Sequence, residues 1–180
     1  MKIKITAIVM CVLALAATYS CGWRTEPPAR NGANANINVD TLGGWQMSDG
    51  TRARVADLKG KVVLLDFYAT WCEPCRRETP YLVMLHEKYG AQGLRIVGLN
   101  VGGEDDYKEV PQYKKDFGIE YLLAIPDDEL VEQLLGDNAN IPQTVVINRQ
   151  GQLIRHVVGF SEVRAPELER LITSALQSPQ

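Results

Sequence analysis

Along this chain, apolar runs of strand length alternate with stretches whose apolar residues recur at helical spacing. Val62-Val63-Leu64-Leu65-Asp66-Phe67-Tyr68 is continuous but for one acid, the pattern of a strand covered on both faces. Leu94 to Val101 and Tyr121 to Ile125 predict two further central strands. Thr144 to Asn148 and Leu153 to Val158, joined by Arg149-Gln150-Gly151, predict a hairpin. Helices are predicted from about Cys72 to Tyr89, ending at Gly90, and from Val110 to Phe117, closed by Gly118. Pro74 falls in the first turn of the former, where its missing N–H is tolerated, and Pro80 inside it predicts a kink. Asp128 to Leu135 predicts a short helix whose acidic start suits the macrodipole. Pro166 to Gln177 predicts a closing helix with Leu168, Leu171, Ile172 and Ala175 on one face. Ahead of these, Thr41 to Leu58 reads as a short hairpin turning at Ser48-Asp49-Gly50. The order β-α-β-α-β-α-β-β-α implies an α/β fold: a mixed central β-sheet flanked by helices, with an N-terminal hairpin extension.

The N-terminus follows a different pattern. Lys2 and Lys4 precede an apolar run from Ile5 to Ala17, followed by Thr18, Tyr19, Ser20 and Cys21, the layout of an export signal over residues 1–20. Three outcomes are open for it. Cleavage before Cys21 with lipid attachment to that cysteine would match a bacterial lipoprotein, ordinary cleavage would leave Cys21 unmodified, and an uncleaved segment from Ile3 to Tyr19 would serve as an anchor. Residues 21–40, rich in Pro, Asn, Ala, Gly and Arg without any period, read as a flexible tether. One domain, 41–178, is expected to follow, since about 140 residues support one core but not two.

The 180 residues carry a formal charge of −3; loss of the two lysines in residues 1–20 leaves 17 basic against 22 acidic residues, or −5. No basic patch points to nucleic acid. Of four cysteines, Cys11 and Cys21 belong to the N-terminal segment, which leaves Cys72 and Cys75 in the body. A loop this short contributes little as a staple. A zinc site needs two more ligands, and His86 and His156 lack ligand spacing, so they read as packing or surface residues and no metal is expected. A Cys-x-x-Cys beside a β-α-β pattern is instead the redox signature, a pair that cycles between dithiol and disulfide.

Asp66-Phe67-Tyr68-Ala69-Thr70-Trp71-Cys72-Glu73-Pro74-Cys75 resembles the active-site strand and helix of thioredoxins, and the likeness extends from about Thr41 to Gln177. Asp57 to Lys61 before the strand, with Arg76, Glu78 and Pro80 after the cysteines, is similar to the TlpA/ResA group of extracytoplasmic thiol-disulfide oxidoreductases. The resemblance implies a thioredoxin-like fold and reduction of protein disulfides without a cofactor. It also implies apocytochrome c-type segments as substrate, a membrane-embedded thiol reductase as electron donor, and a membrane-tethered location in the periplasm or on the outer face of the cytoplasmic membrane. Ile141-Pro142-Gln143-Thr144 resembles the cis-proline loop that faces the disulfide in this family, with Gln143 where a smaller residue such as Thr is expected, which leaves substrate preference open.

At the start of its helix Cys72 is the expected nucleophile, because unpaired N–H groups there favour a thiolate, and Cys75 is the expected resolving thiol. Glu73 puts a negative charge near that thiolate and points towards a reductant. One or both of Asp66, an acid inside an apolar strand, and Glu78, three residues past Cys75, are expected to relay the proton of Cys75; the plainer alternatives are a hydrogen-bonded buried acid and a solvated helix face. Trp71, Glu73, Pro74, Ile141 and Pro142 are the expected substrate-facing residues. Two other functions compete. A peroxiredoxin-like peroxidase would need a Thr and an Arg arranged around its cysteine, and a copper-delivery protein of the Sco type uses a wider Cys-x-x-x-Cys and a distal His.

Overall fold

The structure, a computed structural model, describes residue 37 and residues 39–178. The expected export segment, Cys21 and the tether as far as residue 36 lie outside the described residues.

Seven strands form one mixed sheet in the order β2-β1-β5-β4-β3-β6-β7. The strands are β1 (Gly44–Gln46), β2 (Arg52–Arg54), β3 (Val62–Tyr68), β4 (Leu94–Asn100), β5 (Leu122–Pro126), β6 (Gln143–Ile147) and β7 (Leu153–Val158). The helices are α1 (Glu73–Tyr89), α2 (Glu104–Tyr107), α3 (Val110–Phe117), α4 (Asp128–Leu135) and α5 (Ala165–Gln177). β3 and β5 run parallel to β4, while β6 is antiparallel to β3, and β7 to β6. The expected N-terminal hairpin is β1–β2, which extends the sheet by pairing antiparallel with β5. Its turn closes through the Gly50 N–H on the Met47 carbonyl, with Gly50 at φ +85°, a conformation glycine adopts without cost.

β3 lies at the centre and all seven of its residues are buried. Alternation divides them: Val62, Leu64 and Tyr68 join the core under α1, α3 and α5, whereas Val63, Leu65 and Phe67 join the core under α4 and the hairpin. Asp66 shares the parity of the first set and so faces the α1 side. α1 presents Leu82 and Leu85 to this core, each fully buried and worth roughly 2 kcal/mol by transfer from water. The helix continues through Pro80, which lies on its exposed side. Ile37 and Val39 already pack on the opposite core, so contact with the domain begins ahead of Thr41, the edge that the sequence pattern predicts.

Candidate active site

β3 delivers the chain at its C-terminal end into Ala69-Thr70-Trp71, and α1 begins directly afterwards. Cys72 and Cys75 form a disulfide of 2.04 Å across the first turn. Cys72 is the N-cap of α1: its Sγ accepts the Cys75 N–H at 3.2 Å, one of the amides that a helix start leaves unpaired. Glu73 and Pro74 occupy the two intervening positions, with Glu73 exposed. Trp71, two-thirds exposed at 66%, stands beside the disulfide rather than in the core.

The other wall comes from the loop before β6. The Ile141–Pro142 peptide is cis, and the Ile141 carbonyl oxygen lies 3.8 Å from Cys72 Sγ, where a reduced thiol would donate to it. The Pro142 carbonyl accepts the Gly159 N–H at 2.7 Å, tying this loop to the end of β7. Gln143 follows Pro142 as the first residue of β6. Its side chain is turned into the protein, fully buried, and its Nε2 donates to the carbonyls of Asn138 at 2.7 Å and Asn140 at 2.8 Å. Its Oε1 is therefore the acceptor, and His156 Nε2, at 2.8 Å, carries the proton. Burial holds the His156 imidazole below its ordinary range. Gln143, larger than the residue expected at this position, thus fastens the loop from behind, and His156, to which the sequence assigned no role, latches it.

Two buried acids lie on the α1 side of the sheet. Register places Asp66 opposite Thr144, and the Thr144 hydroxyl donates to Glu78 Oε1 at 2.9 Å. Asp66, Thr144 and Glu78 are all buried, so β3, β6 and α1 meet here at a polar cluster inside an apolar layer. Asp66 Oδ1 and Glu78 Oε2 have no hydrogen-bond partner among the described residues. Burial pushes Glu78 up from an ordinary 4.5 to about 7, against the opposing pull of the Thr144 hydroxyl. Burial, and then the charge of Glu78, push Asp66 well above its ordinary range as well. Both carboxyls therefore resist ionisation, and Glu78 lies one helical turn past Cys75 on α1.

The sequence reading missed a third buried acid, Asp106, on the short helix α2. It accepts hydrogen bonds from the Thr70 N–H, the Thr70 hydroxyl and Asn100 Nδ2, and so reaches the segment leading into Cys72. Among the described residues, no group of three or more His, Cys, Asp or Glu side chains is placed to hold a metal ion, and no helix is long and apolar enough to cross a membrane.

A sheet in this order, with a disulfide at the N-terminus of the helix after its central strand, defines a thioredoxin-like fold. Residues 39–156 match the AhpC/TSA family, and the chain belongs to it. It is similar to the thiol-disulfide oxidoreductase ResA of Bacillus subtilis, with 35% identity over 112 residues, or 62% of this chain and 61% of that protein. The chain thus aligns with about three-fifths of the length of that relative. The ResA of Halalkalibacterium halodurans is 28% identical over 174 residues, covering 96% of this chain and 93% of that one. Among solved structures, a thiol:disulfide interchange protein of the thioredoxin family from Chlorobium tepidum superposes with a TM-score of 0.64 at 30% identity, covering 75% of this chain and 94% of the other.

Proposed function

We propose that this chain is an extracytoplasmic thiol-disulfide oxidoreductase that reduces protein disulfides through Cys72 and Cys75. The observation that carries this reading is the disulfide closed across the first turn of α1, with Cys72 Sγ capping the helix and lying against the Ile141 carbonyl. The names of the relatives support it: two are thiol-disulfide oxidoreductases and one a thiol:disulfide interchange protein. The catalytic residues proposed are Cys72, Cys75, Asp66 and Glu78.

In the reduced protein the Cys72 thiolate attacks one sulfur of the partner disulfide. The partner S–S bond breaks, a mixed disulfide forms on Cys72, and one partner sulfur leaves as a thiolate that takes a proton. Cys75 then gives up its proton to the Asp66–Glu78 pair and attacks Cys72 Sγ. The mixed disulfide breaks, the second partner thiol departs, and the Cys72–Cys75 bond described above is restored. Two electrons pass to the partner, and no cofactor is required. Trp71, Glu73, Pro74, Ile141 and Pro142 line the approach, where an extended substrate segment lies beside the Ile141 peptide.

Residues 1–20 act as the export signal and the chain from Cys21 to the point where Ile37 packs on the domain as the tether, with Cys21 as the lipid attachment point. The proposed electron donor is a membrane-embedded thiol reductase, and the proposed substrate class is the Cys-x-x-Cys-His segment of apocytochrome c. Cys75→Ser tests the core of the reading. It leaves Cys72 able to attack but removes the resolving thiol, so mixed disulfides should accumulate on Cys72 and release their partners on reduction. Recovery of no covalent partner under oxidising conditions would overturn it.

A further inference from the structure

We propose that Asp106 is a positioning residue for the redox loop: through Thr70 it fixes the placement of Trp71 and Cys72, and hence the reactivity of Cys72. The inference rests on the oxidoreductase reading and deepens it. Its basis is the density of directed contacts on a single residue. The Thr70 N–H donates to Asp106 Oδ2 at 3.0 Å and the Thr70 hydroxyl to Asp106 Oδ1. From the opposite side Arg76 Nη1 donates to the Thr70 carbonyl at 3.1 Å. Every polar atom of Thr70 is therefore engaged, one residue before Trp71 and two before the reactive sulfur. The Arg76 guanidinium is itself seated 5.0 Å from the centre of the Phe117 ring and 5.6 Å from that of Tyr113.

Asp106 is in turn built into its place. Asn100, the last residue of β4, donates through Nδ2 to Asp106 Oδ2 at 2.7 Å and accepts the Gly102 N–H on its Oδ1 at 2.9 Å. Gly102 packs so closely on the Asp106 carboxylate that a Cβ there would collide with it, and Gly103, at φ +90°, turns the chain into α2. The buried carboxylate accepts three hydrogen bonds and leaves no oxygen idle, unlike Asp66 and Glu78. Its role is that of an anchor, with both oxygens engaged in holding Thr70 and Asn100.

The test compares four purified full-length variants for iodoacetamide alkylation of reduced Cys72 across pH, equilibrium with glutathione, and kcat/KM for a peptide disulfide. Asp106→Ala leaves the Thr70 N–H and Asn100 Nδ2 unpaired, so the loop loosens, the midpoint of Cys72 alkylation moves, and kcat/KM falls by roughly tenfold. Thr70→Val, a milder change, should move the same readouts in the same direction and decides the matter if Asp106→Ala does not fold. Asp106→Asn can keep one oxygen on the Thr70 N–H and on Asn100 Nδ2, and should behave close to wild type. Leu134→Ala, in the core on the other face of the sheet, lowers stability without touching the loop and should leave the alkylation midpoint in place.

An unchanged midpoint in Asp106→Ala and Thr70→Val, an equal shift in Leu134→Ala, or an Asp106→Asn variant as impaired as Asp106→Ala would each overturn the role given to Asp106. A wild-type protein that does not exchange with glutathione at all would instead overturn the oxidoreductase reading.

Discussion

Replacing Glu78 by Gln should stabilise the protein at alkaline pH and leave its stability near pH 4 unchanged. The carboxyl titrates at about 7 in the fold against an ordinary 4.5. With about 1.4 kcal/mol for each tenfold change in proton affinity, ionising it inside the protein costs ~3 kcal/mol. The sign follows from proton counting. Between the ordinary value and about 7, the unfolded chain has lost this proton and the folded chain keeps it, so stability falls as pH rises through that window and levels off above it. The amide imitates the protonated acid: its oxygen keeps the Thr144 hydroxyl, and its Nε2 replaces the unpartnered Oε2. Urea unfolding of the disulfide-intact proteins, followed by fluorescence of the buried Trp45, gives the comparison at pH 4 and pH 8, where groups that do not sense Glu78 cancel in the difference and Asp66, relieved of the Glu78 charge, adds to the gain at high pH. The variant should gain ~3 kcal/mol over wild type at pH 8 only. Equal differences at the two pH values, within about 0.5 kcal/mol, would refute the account of Glu78 as a buried, proton-holding acid. The same substitution, and Asp66→Asn, should slow the Cys75-dependent resolving step and alter its pH profile; an unchanged rate and profile in both would remove the proton relay from the mechanism.

Two further outcomes are expected. Glu73→Gln removes a negative charge from the first turn of α1, stabilises the Cys72 thiolate, and should raise the reduction potential by about 10–20 mV, read by equilibration with glutathione; an unchanged or lowered potential would leave Glu73 with a purely surface role. Gln143→Ala leaves the Asn138 and Asn140 carbonyls and His156 Nε2 without their partner and should cost about 3 kcal/mol in urea unfolding, whereas a loss under about 1 kcal/mol would show that the loop does not depend on this clamp.

The strand and helix signals that survive folding are the ones tied to a repeating period. β3 announces itself by seven successive residues of which six are apolar, and the single exception, Asp66, is legible as a site residue because burying an acid is costly. Glu78 is legible from its helical spacing to Cys75 together with the family resemblance. α2 is not, because Gly-Gly-Glu-Asp-Asp-Tyr has no apolar period and reads as a solvated acidic loop; what draws Asp106 inward is the pair of donors on Thr70, 36 residues away in sequence. The pairing of Gln143 with His156 was not legible for a related reason. Each alone is a polar residue of no fixed meaning, and they become a pair only when β6 and β7 align Gln143 with Val158 and bring the two side chains to 2.8 Å. A faint signal for Asp106 existed in the two glycines before it, which mark a sharp reversal, although nothing in them says what the reversal is for.

In the proposed cycle Cys72 Sγ is both the reacting atom and the acceptor that starts α1, so the electrons moved in each turnover would pass through a group that also holds up the backbone. A thiolate is a stronger acceptor than a disulfide sulfur, so the grip on the Cys75 amide tightens when the protein is charged with electrons and slackens when it is spent. The exchange of that one amide hydrogen with solvent therefore follows the oxidation state from within the main chain, without a dye, a label or a substrate. Serine at position 72 would keep an oxygen in the capping role, while alanine would strip it, so two variants equally dead in chemistry would differ in how firmly their first helical turn is closed.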